Sequence, residues 1–123
     1  MTEAPPAPIL VVEDDADIRE TIAAILEMEG YDVELASNGE EAVSAIDHRQ
    51  PSLVLLDMRM PVLDGWGFAK VMRERGVQVP IIVMTAAQDA GRWAREIGAQ
   101  GYIAKPFDLG DLLSQVARYA GAM

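Results

Sequence analysis

The sequence of 123 residues contains no cysteine and only two lysines. The absence of cysteine excludes disulfides and thiolate metal sites, and it is typical of a reducing compartment such as the cytoplasm. No apolar run approaches the ~20 residues that a membrane helix needs. Acidic residues outnumber basic ones by 20 to 10, and the formal net charge of −10 disfavours binding to nucleic acid. We therefore expect a cytoplasmic protein that binds neither membranes nor nucleic acid directly.

Half of the residues are apolar, which is enough to form the core of one domain. The first eight residues, MTEAPPAP, contain three prolines and lack the basic start and apolar segment of a signal peptide. We expect residues 1–8 to be a flexible leader. Residues 9–121 are expected to form a single domain, with no further output domain after it.

Short apolar runs alternate with segments of helical spacing along the whole chain. Five strands are predicted, at Ile9–Val12, Tyr31–Ala36, Leu53–Leu56, Val79–Thr85 and Tyr102–Ala104. Five helices follow them, the fourth over residues 89–97. This alternation indicates an α/β fold with a parallel sheet that helices cover on both faces. The expected architecture is the doubly wound, flavodoxin-like sheet with strand order 2-1-3-4-5.

Carboxylates follow two of the predicted strands directly. Glu13 and Asp14 come after the first strand, and Asp57 ends the buried run LVLL. In the expected strand order these two strands are neighbours, so the three acids should meet at one edge of the sheet. Like charges held this close require a shared proton or a cation, and an all-oxygen set suits Mg²⁺. The alternative is that Glu13 and Asp14 only begin a helix and that Asp57 is an ordinary loop residue.

A hydroxyl and an ammonium are expected at the same edge, because Thr85 and Lys105 follow the fourth and fifth strands. Together with the acids they describe a site for a tetrahedral dianion. Taken separately, Thr85 could be a common strand-end residue and Lys105 a surface residue. The sequence has no G-x-S-x-G motif and no phosphate-binding glycine loop of the Walker type. His48 lies in a polar stretch and is expected to be exposed.

Four segments occur in the order and spacing of a known family: ILVVEDD, LVLLDMRMPVLDG, PIIVMTA and GYIAKPF. Over about Ile9 to Ala120 the chain resembles the receiver domain of two-component response regulators, of the single-domain chemotaxis-regulator kind. The resemblance implies a signalling switch rather than a turnover enzyme. Its partners would be a histidine kinase or a histidine phosphotransfer protein, and a downstream protein that it contacts.

The resemblance also implies roles for the residues at the sheet edge. Asp57 is expected to accept the phosphoryl group. The expected cofactor is Mg²⁺, which Asp14 and Asp57 would hold directly and Glu13 through water, with the backbone carbonyl of Arg59 as a further ligand. Lys105 would contact the phosphoryl group.

Further roles concern the switch and its timing. Thr85 and Tyr102 are expected to be the switch pair, and the peptide bond between Lys105 and Pro106 is expected to be cis. Arg59 and Ala87 occupy positions that tune the hydrolysis of the phosphoryl aspartate. Without the resemblance, Tyr102 would be interpreted as an ordinary strand residue.

One departure from the family concerns the segment from Thr85 to Tyr102, which is shorter than usual. We expect the fourth helix to be abbreviated or displaced. Two other functions remain open. One is a binding module that works without phosphate, and the other is a Mg²⁺-dependent phosphatase. The phosphatase interpretation is weakened by Arg59, because haloacid-dehalogenase-like phosphatases need an acid two residues after the nucleophile.

Overall fold

A computed structural model of the protein describes residues 7–120, with the side chain of Ala87 excepted. Residues 1–6 of the expected leader and residue 121 of the expected domain lie outside this part of the chain. Five strands and five helices alternate within it. The strands are β1 (Ile9–Val12), β2 (Val33–Ala36), β3 (Leu53–Asp57), β4 (Ile81–Ala86) and β5 (Gly101–Lys105). The helices are α1 (Ala16–Met28), α2 (Gly39–His48), α3 (Gly65–Glu74), α4 (Ala87–Ile97) and α5 (Leu109–Ala120).

All five strands are parallel and form one sheet in the order β2-β1-β3-β4-β5. The predicted fold class and strand order are therefore confirmed. The chain runs outward from β1 to one side and then crosses to β3 on the other side. Ligands bind to such sheets at the carboxyl ends of the strands, where the strand order reverses. That point lies between β1 and β3.

The core has two layers, one on each face of the sheet. Helices α2, α3 and α4 cover one face, and they contribute Ala42, Ile46, Phe68, Met72, Trp93 and Ala94. Helices α1 and α5 cover the other face with Ile22, Leu26, Leu112 and Val116. The residues of β1 and β3 are buried throughout. Such a two-sided apolar environment fixes the central strands, because moving a strand would open voids on both faces.

Three helices begin at polar caps that the sequence places just after loops. Asp15 accepts a hydrogen bond from the Ile18 N–H, and Asp64 accepts one from the Gly67 N–H. Asn38 caps α2 in the same way by accepting from the Glu41 N–H at 2.8 Å. Asn38 and Glu41 therefore form a capping interaction at the start of α2. The Glu41 carboxylate, however, accepts from the N–H of the residue before the cap, which holds its pKa below the ordinary value.

The shortened segment after Thr85 has a different structure from the expected one. Helix α4 has 11 residues and begins at Ala87, directly after the last residue of β4. The helix starts two residues before the expected residue 89 and ends at Ile97 as expected. Its abbreviation or displacement relative to the family stays a prediction. Ala86 and Ala87 favour helix and include none of the glycine, proline or asparagine that would make a turn, so the helix starts at once.

Three strand starts also differ from the expectation. Strand β2 begins at Val33 instead of Tyr31, β4 at Ile81 instead of Val79, and β5 at Gly101 instead of Tyr102. Pro80 precedes β4 and has no N–H to give to the sheet, although its carbonyl accepts a hydrogen bond from the Val54 N–H. Among the described residues, none of the helices is both long and apolar enough to cross a lipid bilayer.

The contact between α2 and the loop before α3 generates a stability prediction. The Gly39 N–H donates to the Leu63 carbonyl, and a Cβ on Gly39 would lie 2.4 Å from that oxygen. We expect Gly39→Ala to lower the free energy of unfolding by about 1–3 kcal/mol, because the backbone would have to move. Gly91→Ala is the matched control, since the nearest side-chain atoms would lie 3.5 Å from its Cβ, at ordinary contact distance. Thermal unfolding of both variants checks this, and equal melting temperatures would contradict it.

Candidate functional site

Three carboxylates meet at the carboxyl ends of β1 and β3. Val12 pairs with Leu56 in the sheet, so Glu13 and Asp57 are the next residues on neighbouring strands. One oxygen from each of Glu13, Asp14 and Asp57 lies within 4.8 Å of the others. Glu13 and Asp57 are buried, with relative exposures of 1% and 5%, whereas Asp14 is exposed. The predicted convergence of the three acids is therefore observed.

Lys105 ends β5 and reaches across β4 to these acids. Its Nζ lies 2.5 Å from Glu13 Oε1 and 3.7 Å from Asp57 Oδ2. The ammonium is thus bound to Glu13 first and to Asp57 only at the outer limit of an ion pair. The peptide bond between Lys105 and Pro106 is cis. One ammonium between two buried carboxylates leaves an excess of negative charge in the site.

The excess of negative charge is one reason why the pKa of Asp57 is raised. The pKa of Asp57 is raised from 3.8 to about 8, first by burial and then by the neighbouring Glu13 carboxylate, which acts through a hydrogen bond and through its charge. The Lys105 ammonium and the Arg59 N–H, which donates to Asp57 Oδ1 at 3.2 Å, act in the opposite direction. The carboxylate of Asp57 therefore needs a proton or a cation beside it near neutral pH.

The donor set fits a small, hard divalent cation. The converging ligand atoms are carboxylate oxygens, one of them exposed to water, and they lie close enough together to share one ion. A bound cation would also relieve the repulsion that raises the pKa of Asp57. Asp15, the third consecutive acid, is outside this cluster because its carboxylate caps α1.

The two expected switch residues lie on neighbouring strands but differ in exposure. Thr85 is buried at 5% exposure and lies one residue beyond Met84, which pairs with Asp57 across β3 and β4. Tyr102 of β5 is 49% exposed, and a Cβ built on Gly91 of α4 would lie 3.5 Å from its ring. Thr85 is therefore buried next to the end of β3, while the half-exposed Tyr102 ring lies beside α4.

The other expected residues occupy less central positions. Arg59 lies in the loop after β3, where its side chain is exposed and its backbone N–H contacts Asp57. Ala87 is the first residue of α4, and its side chain lies outside the described part of the structure. His48 is exposed at the end of α2, as expected.

A group of three side chains next to the site was not anticipated. The Arg59 guanidinium lies over the Trp93 ring, 5.0 Å from its centroid, and the Trp66 ring meets Trp93 edge-on at 4.8 Å. Trp66 Nε1 also donates to Glu96 Oε2 at 3.1 Å. We call Arg59, Trp66 and Trp93 the tryptophan cluster. The helical spacing of both tryptophans could have placed them in the core, but nothing in the sequence pairs Arg59 with α4.

Comparisons with known proteins agree with this geometry. Residues 9–117 match the family model of the response regulator receiver domain. The chain is 42% identical over 110 residues to the probable transcriptional regulator ycf27 of Porphyridium aerugineum. It is 40% identical over 113 residues to the response regulator MprA of Mycobacterium sp. strain KMS. These matches cover 88% and 90% of the chain but 45% and 49% of the relatives, so the chain spans about half of their length.

A solved structure with the same fold carries a metal. It is the receiver domain of the sensor histidine kinase PA1611 from Pseudomonas aeruginosa PAO1, which has a magnesium ion coordinated in its active-site cleft. It is 34% identical to this chain, with a TM-score of 0.84, and the match covers 96% of this chain and all of the other.

The raised pKa of Asp57 predicts how the stability of the protein depends on pH. The folded state holds a proton on Asp57 up to about pH 8, whereas the unfolded chain releases it near 3.8. Asp57 therefore stabilises the fold fully below about pH 4, and this contribution is lost as the pH rises through about 8. We expect the melting temperature of the wild type, relative to Asp57→Asn, to fall between pH 5 and 8.5 in metal-free buffer.

Each kcal/mol corresponds to roughly 3–6 °C in melting temperature for a domain of this size. Added Mg²⁺ should reduce the fall, because a cation replaces the proton. A constant difference between the two proteins across this pH range would contradict the predicted shift.

Proposed function

The chain belongs to the response regulator receiver domain family, and we propose that it works as a phosphorylation-controlled signalling switch. The observation that carries this proposal is the buried Asp57 at the end of β3, surrounded by Glu13, Asp14 and Lys105. The partners would be a histidine kinase or histidine phosphotransfer protein as donor, and a protein target. The receiver unit would span residues 9–121, and the cysteine-free sequence favours a cytoplasmic location.

Asp57 would act as the nucleophile. One of its carboxylate oxygens would attack the phosphorus of a phosphohistidine, and the P–N bond would break as the histidine nitrogen leaves with the electron pair. The product is an aspartyl phosphate. Later, water would attack the phosphorus and break the P–O bond, which returns the Asp57 carboxylate and releases inorganic phosphate. Because the protein itself is modified and restored, we propose that it is not a turnover enzyme.

Magnesium would make Asp57 available for this reaction. Asp14 and Asp57 would hold the ion directly, Glu13 through water, and the Arg59 carbonyl would complete the protein ligands. The bound cation would favour the ionised form of Asp57 and would offset the charge of the phosphoryl oxygens. The raised pKa of Asp57 supports this need, since the carboxylate would otherwise keep its proton at neutral pH.

Lys105 and Thr85 are suited to receive the phosphoryl group. Lys105 Nζ is already 3.7 Å from Asp57 Oδ2, so a small movement away from Glu13 would bring it to a phosphoryl oxygen. The Thr85 hydroxyl could donate to another. Movement of Thr85 would leave room for the Tyr102 ring, which is half-exposed in this structure. The surface formed by α4 and β5 would then change and alter binding of the target.

The other two functions are supported less well. A magnesium-dependent phosphatase of the haloacid-dehalogenase-like kind would need an acid two residues after Asp57, and the side chain at that position, Arg59, stacks on Trp93. A binding module independent of phosphate would not need three crowded carboxylates with a lysine among them. The net charge of −10 also favours protein over nucleic acid as the direct partner.

Binding of a phosphoryl mimic tests the switch. We expect the wild type with Mg²⁺ to bind beryllofluoride at Asp57, which ¹⁹F NMR detects as a new bound signal. Asp57→Asn should abolish this signal, because the nucleophilic oxygen is lost. Asp15→Asn is the matched control: it changes an adjacent acid that only caps α1, and it should retain the signal. A wild type without any bound signal would rule out the switch.

The position of Arg59 predicts the lifetime of the phosphoryl group. Arg59 follows Asp57 by two residues in the loop after β3 and is exposed, so its side chain could move over a phosphoryl group on Asp57 and hinder the approach of water. We expect Arg59→Ala to lose the phosphoryl group roughly 3- to 10-fold faster, which corresponds to a small change in barrier. Release of phosphate after phosphorylation by acetyl phosphate gives the rate. Arg73→Ala on α3 is the control for a lost exposed arginine, and equal rates for both variants would exclude shielding.

A further inference from the structure

The tryptophan cluster joins the phosphorylation loop to α4. Arg59 contacts both sides of this junction, because its N–H donates to Asp57 Oδ1 and its guanidinium lies on Trp93. The Arg59 side chain is exposed and can move, whereas Trp93 is buried at 5% exposure in the contact of α4 with the sheet. A chemical change at Asp57 would therefore act directly on Arg59, and the guanidinium of Arg59 contacts Trp93 in the middle of α4.

The Arg59 guanidinium can interact with the Trp93 ring or with phosphoryl oxygens on Asp57, and these two interactions differ in strength. A contact between an exposed arginine and an indole ring is weak. Hydrogen bonds from a guanidinium to phosphoryl oxygens are charge-assisted, roughly twice as strong as neutral ones, and often bidentate. Before phosphorylation Asp57 competes poorly for the guanidinium, because its carboxylate is buried in the site whereas Arg59 is exposed. A phosphoryl group on Asp57 would bring additional charge and acceptor oxygens toward the loop and reverse this preference.

We propose that Arg59 is a second switch residue, whose guanidinium rests on Trp93 while Asp57 is unmodified and moves to the phosphoryl oxygens once Asp57 is phosphorylated. This inference rests on the proposed function of Asp57. It assigns to Trp93 the role of a positioning residue, since the ring acts on the phosphoryl group only through Arg59. It also adds a connection to α4 that is separate from Thr85 and Tyr102.

The surroundings of Trp93 favour a change in α4 when Arg59 leaves. A second guanidinium, that of Arg92, lies 6.0 Å from the ring centroid, but it is held by Asp89 at 2.9 Å and is not positioned to replace Arg59. Trp66 stays attached to α4 through Glu96. Trp93 would thus lose its cation on the loop side while it keeps its contact with α3. The environment of its indole ring must change as a result.

Fluorescence of Trp93 tests the movement. The chain has two tryptophans, so Trp66→Phe leaves Trp93 as the single indole fluorophore. In this background we expect Mg²⁺ with beryllofluoride to change the intensity or the maximum of the Trp93 emission. Adding Arg59→Met should remove at least two thirds of that change, because no guanidinium is there to leave the ring. Bound beryllofluoride is measured on each variant by ¹⁹F NMR, so that saturation is known independently.

Arg92→Met is the matched control, because it removes the other guanidinium near Trp93 and should leave the emission change intact. Emission that stays constant in the Trp66→Phe protein while beryllofluoride is bound would overturn the inference and leave the proposed function standing. The same emission change with and without Arg59 would also overturn it. Absence of a bound beryllofluoride signal would instead refute the proposed function, and the inference with it.

The affinity for beryllofluoride gives a second readout that does not use fluorescence. If Trp93 holds the Arg59 guanidinium away from the phosphoryl position, weakening the contact between Arg59 and Trp93 should free the guanidinium to bind there. We expect Trp93→Phe, which keeps an aromatic ring in the core, to bind beryllofluoride about 2- to 5-fold more tightly. In the Arg59→Met background the same substitution should give no gain. The role of Trp93 would be contradicted if Trp93→Phe tightened beryllofluoride binding equally with Arg59 and in the Arg59→Met background. Weaker binding caused by Trp93→Phe in the protein that retains Arg59 would contradict it as well.

Discussion

The site depends on one unfavourable contact, the approach of the Glu13 and Asp57 carboxylates at the ends of neighbouring strands. Neither residue can move away, because β1 and β3 are buried on both faces and paired in register. The fold therefore imposes the repulsion, and the stability of the core compensates for it. Lys105 removes only part of the excess charge. A proton or a cation beside these acids would alter this balance, and in the proposed switch a phosphoryl group with its metal would alter it again.

The surrounding elements divide into those that hold the site and those that can respond. The central strands and the caps at Asp15 and Asp64 fix the backbone on both sides of the acids. Lys105, Arg59 and Tyr102 are more exposed than the acids Glu13 and Asp57, and Lys105 lies within ion-pair distance of both of these carboxylates. Two of these three contact or lie beside α4. Chemical change at a rigid centre would thus be converted into rearrangement at one helix.

The sequence was sufficient to predict the sheet, its strand order and the meeting of the three acids, because these follow from buried runs and from the geometry of parallel strands. The sequence could not predict which of several nearby groups a side chain binds, or whether a short segment forms a turn or a helix. Lys105 was expected beside the phosphoryl position, yet its first partner is Glu13. The start of α4 depended on whether two alanines form a turn or a helix. The stacking of Arg59 on Trp93 joins residues 34 positions apart, and no local pattern encodes it.

The direct passage from β4 into α4 has a mechanical consequence. Ala86 is both the last residue of β4 and the N-cap of α4, so no loop residue separates the strand from the helix. A loop at this point could absorb a displacement of the Thr85 backbone before it travelled further. Without such a loop, a small displacement of the Thr85 backbone would change the direction of the α4 axis, because the first turn of the helix moves with the end of the strand. Small movements inside the protein would therefore be largest at the far end of that helix.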